Sequence, residues 1–397
     1  MKVTRCVWQY HDKKDDLKPV FDYFKYCANE AVRIGIEENI SSKFKLHYQL
    51  YHKLRLDSKF HSRYVYGALE CAASKIKLYK KTLKKRPHAK KPHISRNHLI
   101  MDNQSYKIEH DTIRIPTEPT KYLFIRLTRY VCSKIKDTKT GSITITDDKI
   151  ILSYSKDVPE QRPTGFIGID RNLNNVTTYD SKGSSIVYDL SKAQGIIASY
   201  GRVKSKFRRN DSRIGKKIFQ KYGNLQKNRI HNILHYTSKK ITSQDLGITM
   251  EDIKGIRKLY RKGNGQGKKY RSKMNSWSFY ELQRQIEYKA RWLGLPVNYV
   301  KSSGTSSRCA VCGSKLVSED HRKMYCSFCN TSVDRDINAA RNILLRGTWV
   351  VPDGITSEAV MTEPDSKESA ICRVDVVKSS DRISIPQLDS TLKHRRK

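Results

Sequence analysis

A chain of 397 residues with 78 Lys and Arg against 39 Asp and Glu carries a formal charge of +39, an imbalance that a merely solvated surface does not need and that points to a polyanion as partner. Its 37% apolar content suffices for modest cores in two or three domains. No run of eighteen apolar residues and no signal peptide is present, which excludes a membrane as that polyanion and makes the cytosol the expected location. Residues 351–397 hold eight Lys and Arg against eight Asp and Glu, so the whole surplus lies upstream. Rich in Ser and Asp and without long periodic segments, the tail from 348 to 397 is expected to be disordered.

The chain opens on KVTRCVWQY at 2–10, whose alternation reads as a strand. Leu17, Val20, Phe21, Phe24, Cys27, Ala28 and Ala31 then recur at helical spacing between Asp15 and Asn39. Two more helices are expected over 43–56 and 62–85. The second carries Tyr64, Ala68, Cys71, Ala72, Ile76 and Tyr79 on one side and ends in a cluster of Lys and Arg. Tyrosines so placed are either half-buried packing residues or, beside lysines, the means of meeting a duplex groove or an unstacked base. Both readings stay open, and Tyr64, Lys75 and Tyr79 are candidate nucleic-acid contacts. A Pro- and Lys-rich link at 87–92 leads to alternating runs between 99 and 156, such as YLFIRL at 122–127 and SITIT at 142–146. A strand, then helices, then more strands suggests a small β-barrel (1–10 and 95–158) with a helical insertion (11–94). Pro159 to Pro163 forms the expected linker to the downstream half of the chain.

GFIGID at 165–170 is a short apolar run ending in a carboxylate, and the runs at 176–179 and 185–188 read as the second and third strands of a meander. A dense basic stretch from Ser199 to Ser243 includes Lys206, Arg208 and Arg209, further candidate phosphate contacts, while Ile230, Ile233, Leu234 and Ile241 fit a helix packed on the sheet. His231 and His235 stand one helical turn apart, but no third metal ligand accompanies them. LGITME at 246–251 is another strand ending in an acid. The adjoining KGNGQGKKYR at 262–271 matches neither nucleotide-binding glycine pattern. It reads as a flexible basic lid, with Lys268 and Lys269 on phosphates. A helix from Ser276 to Leu293 and a strand at 297–300 come next.

Cys309, Cys312, Cys326 and Cys329 form two Cys-x-x-Cys knuckles at the spacing that closes one tetrahedral thiolate site on zinc. Four thiolates leave no open coordination position, so such an ion is structural and contributes folding energy to a ribbon too small for a core. Directly after it comes DRDINAARN at 334–342. One acid there is what a helix N-terminus favours. Two acids invite a search for other carboxylates, because a hard divalent cation takes oxygen ligands from several elements.

GIDRNLNN at 168–175, MEDI at 250–253 and the four-cysteine ribbon running into DRDINAARNIL resemble the three split nuclease motifs of the TnpB family, transposon-encoded relatives of compact type V CRISPR nucleases. The resemblance covers about 165 to 347 well and the first 160 residues in general layout. It implies a multi-domain α/β protein with an RNase H-like (RuvC) nuclease core (164–305 and 334–347), an inserted zinc ribbon (306–333), and a preceding β-barrel with a helical recognition lobe. It also implies Asp170, Glu251 and Asp336 as catalytic acids holding Mg²⁺, or Mn²⁺ in its place, since the family's acid stands two before the Asn of the Asn-Ala-Ala helix; Asp334 is then the cap. Three carboxylates in one pocket relieve their repulsion by binding divalent cations, and the reaction expected is phosphodiester hydrolysis. The implied function is that of an RNA-guided DNA endonuclease, acting with a guide RNA from the transposon end on double-stranded target DNA after recognition of a short flanking DNA motif; the oligomeric state is left open, with a monomer favoured. A strand transposase or resolvase on the same fold, and a guided repressor without cleavage, are the alternatives.

Overall fold

The computed structural model describes residues 1–56, 58–207 and 212–348. Arg208, Arg209 and the tail from 349 onward lie outside the described residues. The chain divides into two compact units, Lys2–Asp157 and a second that begins at Val158. Among the described residues no helix is long and apolar enough to cross a membrane.

The first unit runs β1 (Lys2–Tyr10), α1 (Lys14–Glu37), α2 (Lys43–Arg55), α3 (Arg63–Leu83), β2 (His98–Met101), β3 (Lys107–Glu109), β4 (Thr112–Glu118), β5 (Lys121–Arg126), α4 (Arg129–Ile135), β6 (Lys139–Thr146) and β7 (Lys149–Asp157). β1 pairs antiparallel with β7 along its whole length. The strands expected in one barrel lie in two separate sheets, ordered β1-β7-β6-β2 and β3-β4-β5. α1 buries the seven residues whose spacing defined it. On α3 the ambiguity over tyrosine resolves towards packing: Tyr64 is 0% exposed, and its hydroxyl donates to the carbonyl of Pro116 on β4. A phenol taken out of water needs a partner for its hydroxyl, and this one has found it in the protein. The expectation of a nucleic-acid contact at Tyr64 is therefore corrected; Lys75 is exposed and Tyr79 half-buried.

The second unit runs β8 (Phe166–Arg171), β9 (Asn175–Asp180), β10 (Ser185–Asp189), α5 (Ser191–Lys206), α6 (Ser212–Thr242), β11 (Gly247–Asp252), a 3₁₀ turn at Ile256–Tyr260, α7 (Lys268–Asn275), α8 (Phe279–Trp292), β12 (Val297–Lys301), β13 (Val317–Ser318), β14 (Lys323–Cys326), β15 (Thr331–Asp334) and α9 (Arg335–Thr348). The meander β8–β9–β10 is antiparallel. β11 then joins β8 in parallel and β12 joins β11 in parallel, giving the order β10-β9-β8-β11-β12. Where a flexible basic lid was expected, the chain turns into α7 at Lys268, so Lys268 and Lys269 stand on a first helical turn and are exposed.

Strand alternation decides which side chains meet the site. Ile167 and Ile169 of β8, with Ile248 and Met250 of β11, share one core with Ile230 and Leu234 of α6 and Leu282 and Ile286 of α8. The intervening residues therefore face the other way, towards α9. Gly168 shows how close that helix comes: a Cβ there would stand 2.2 Å from the carbonyl oxygen of Ala340. Asp170 and Glu251 continue the same alternation and so point to the α9 side of the sheet.

Candidate active site

Asp170, Glu251 and Asp336 line one cleft of about 780 Å³. Each reaches it from a different element: the end of β8, the end of β11 and the first turn of α9. Asp170 is 8% exposed. Burial, and next the charge of Glu251, push its carboxyl up to about 7; the amide of Asn172, donating to Asp170 Oδ2 at 2.8 Å, opposes them, and Asp336 adds a further upward push. Glu251 Oε1 accepts from Thr305 Oγ1 at 2.5 Å. Asp336 Oδ2 accepts from Asn175 Nδ2 at 3.2 Å and from Arg322 Nη1 at 2.6 Å. Leu173, Ile256, Met274 and Trp277 give its lining an apolar part, and Lys254 and Lys258 line it as well.

The two acids of DRD divide their work. Asp334 Oδ1 accepts from the backbone N–H groups of Asp336 (2.8 Å) and Ile337 (3.0 Å), which makes Asp334 the cap of α9. That leaves the Asp336 carboxylate free of backbone duty and turned into the cleft.

The ribbon is tied to the same helix. Asn338 Nδ2 and Asn342 Nδ2 both donate to the carbonyl of Arg308, at 2.8 and 2.7 Å. Asn338 Oδ1 takes the N–H of Ala310 (3.0 Å), and Asn342 also donates to the carbonyl of Thr305 (2.8 Å). One face of α9 thus positions the first knuckle and, through Thr305, a hydroxyl on Glu251. The sulfurs of Cys309, Cys312, Cys326 and Cys329 all lie within 4.8 Å of one another. Two of the separations are 3.9 Å (Cys309 to Cys329) and 3.5 Å (Cys312 to Cys326). A tetrahedron of 2.3 Å metal–sulfur bonds has edges of about 3.8 Å, so the cluster is compatible with a four-thiolate metal site. Backbone N–H groups of Val311 and Cys329 point at Cys309 and Cys326 Sγ, each at 3.4 Å. Among the described residues no other group of three or more Cys, His, Asp or Glu brings its donors so close. The three carboxylates share a cleft but are held further apart.

Of the other residues singled out by sequence, Lys206, Lys268 and Lys269 are exposed, and none of the three lines the cleft. Arg171, Asn172 and Asn175 sat inside the motif that located Asp170, yet nothing in their spacing disclosed their partners. Thr305 and Arg322 carried no sequence signal at all.

The family model described as "Cas12f1-like, TNB domain" matches residues 279–343, and the one described as "Uncharacterized protein MJ0013 family" matches 20–116. InsQ of Escherichia coli (strain K12), which bears the name of a putative RNA-guided DNA endonuclease, is 26% identical over 269 residues, 63% of this chain and 66% of its own. In the cryo-EM structure of a Cas12f1–sgRNA–target DNA complex, the matched chain is 15% identical with a TM-score of 0.49, over 83% of this chain and 82% of that one. The TnpB-like protein MJ0751 of Methanocaldococcus jannaschii is 33% identical over 257 residues, 60% of this chain and 91% of its own length. On that match, this chain belongs to the TnpB-like family.

Proposed function

We propose that this protein is an RNA-guided DNA endonuclease that hydrolyses DNA phosphodiester bonds in the cleft of Asp170, Glu251 and Asp336, with an RNase H-like core and a structural zinc in the four-cysteine ribbon. The observation that carries the reading is the arrival of three carboxylates, from two strand ends and one helix start, in a single cleft rimmed by cations. Hard oxygen donors of this kind suit Mg²⁺ or Mn²⁺, and the carboxyl of Asp170 is pushed up first by burial and next by the charge of Glu251, a repulsion that a shared cation would relieve. A divalent cation held by these acids would activate water and stabilise the leaving oxygen of an in-line displacement.

The chain's own groups supply the rest. Thr305 and Asn172 orient Glu251 and Asp170. Lys254, Lys258, Arg322 and Arg335 line the cleft and offer phosphate contacts. The name carried by InsQ supports guide dependence, and the surplus of 39 positive charges suits a structured RNA as well as a DNA duplex.

The test is cleavage by purified protein with and without RNA from its transposon end. Cutting confined to DNA that matches the RNA, and lost in Asp170→Asn and Glu251→Gln, is the expected result. Sequence-independent cutting by RNA-free protein, at a rate unchanged by adding RNA, would refute the guided reading and favour a transposase.

A further inference from the structure

The parallel ladder between β8 and β11 ends at the pair Ile169–Met250, one residue before the two acids. Beyond it β11 continues along β12, with Glu251 opposite Val300 and Asp252 opposite Lys301. β8 continues along β9, with Asp170 opposite Thr177 and Arg171 opposite Val176. The sheet therefore divides at the point where Asp170 and Glu251 stand.

One side chain crosses the division. Arg171 Nη2 donates to the carbonyl oxygen of Glu251 at 2.5 Å, and Nη1 donates to Gln283 Oε1 on α8 at 2.7 Å. Arg171 is 5% exposed. Burying a guanidinium is expensive, and the usual compensation is a forked ion pair with a carboxylate. Arg171 has Asp170, Glu251 and Asp252 near enough to feel its charge, yet these two donors go to a main-chain carbonyl and a neutral amide. Its charge acts on those acids through space, but its hydrogen bonds are spent on fixing a strand end.

We infer that Arg171 is a positioning residue: it braces the strand end that carries Glu251 against β8 and α8, and so sets the separation at which the Asp170 and Glu251 carboxylates present themselves to a cation. This rests on the reading that those carboxylates hold a divalent metal. A brace and a mere counter-charge predict opposite signs. Deleting a counter-charge leaves the cleft more negative and tightens cation binding, whereas deleting a brace weakens it.

The experiment is a titration of the full-length, zinc-loaded, RNA-free protein with Mn²⁺, read by electron paramagnetic resonance, with thermal melting run in parallel. Arg171→Met should weaken Mn²⁺ binding by roughly tenfold, the size usual for groups that orient metal ligands. Arg171→Lys, which keeps the charge and loses the fork, should weaken it as well. Gln283→Leu leaves the guanidinium in place, removes its anchor on α8, and should weaken binding by a smaller factor in the same direction. Should Arg171→Met not fold, the other two variants decide. Unchanged or tighter Mn²⁺ binding in folded Arg171→Met, or in both Arg171→Lys and Gln283→Leu, overturns the brace. Absence from the wild type of any Mn²⁺ site that Asp170→Asn removes overturns the metal reading beneath it, a different result that the same titration distinguishes.

Discussion

Arg322 of the ribbon places its guanidinium 2.6 Å from the carboxylate of Asp336, which stands at the start of α9. The ribbon thereby sets a cation on one of the three acids. Its own backbone is pinned there too, because the carbonyl of Arg322 accepts the N–H of Arg335 at 2.8 Å. On the proposed function, this pair would compete with a divalent ion for Asp336. Arg322→Gln should accordingly tighten Mn²⁺ binding several-fold, the opposite sign from Arg171→Met. Weaker binding in Arg322→Gln would show that the pair helps to shape the site instead of blocking it.

The division of labour within DRD makes a second prediction. Asp336→Ala should abolish cleavage with little effect on DNA binding. Asp334→Ala removes a cap that serves two backbone N–H groups; it should cost about 1 kcal/mol of stability and only part of the activity. Dead Asp334→Ala beside active Asp336→Ala would reverse the assignment.

Loss of the ribbon's metal should reach the acids through α9. Cys312→Ser or Cys326→Ser should lower zinc content and melting temperature, and reduce cleavage without altering any carboxylate. Asn342→Ala, which unties Thr305 and Arg308 from the helix, should reduce cleavage while zinc content stays at its wild-type value. Full cleavage by a zinc-free Cys326→Ser protein would end the structural role.

The raised carboxyl of Asp170 fixes the sign of a pH effect. Between the ordinary Asp range near 4 and about 7, the folded metal-free protein holds a proton that the unfolded chain releases. Its favourable contribution is present below that range and is lost as pH rises through about 7. In chelator, Asp170→Asn should be more stable than wild type at pH 8, by a few kcal/mol at most. The gap should narrow as pH is lowered towards 4. Denaturant melts across this range check it, and a gap independent of pH would show that Asp170 does not titrate there.

What the sequence by itself determined was local in origin. Knuckle spacing defined the four-cysteine cluster, short apolar runs leading to an acid the strands that carry Asp170 and Glu251, helical spacing the buried face of α1, and acids just before a helical run a capped helix start, with the choice of Asp334 as the cap coming from the family resemblance. Each arises from neighbours within a turn or a strand, where chain geometry leaves few choices. The tertiary structure alone decided the rest. Tyr64 was ambiguous because its fate depended on a carbonyl 52 residues away. The hydroxyl on Glu251 comes from 54 residues downstream. The division of the sheet at Asp170 and Glu251, and the guanidinium that spans it, exist only once β9 and β12 have drawn β8 and β11 apart, because hydrogen bonds between distant segments are set by which strands become neighbours and not by the residues beside them in the chain.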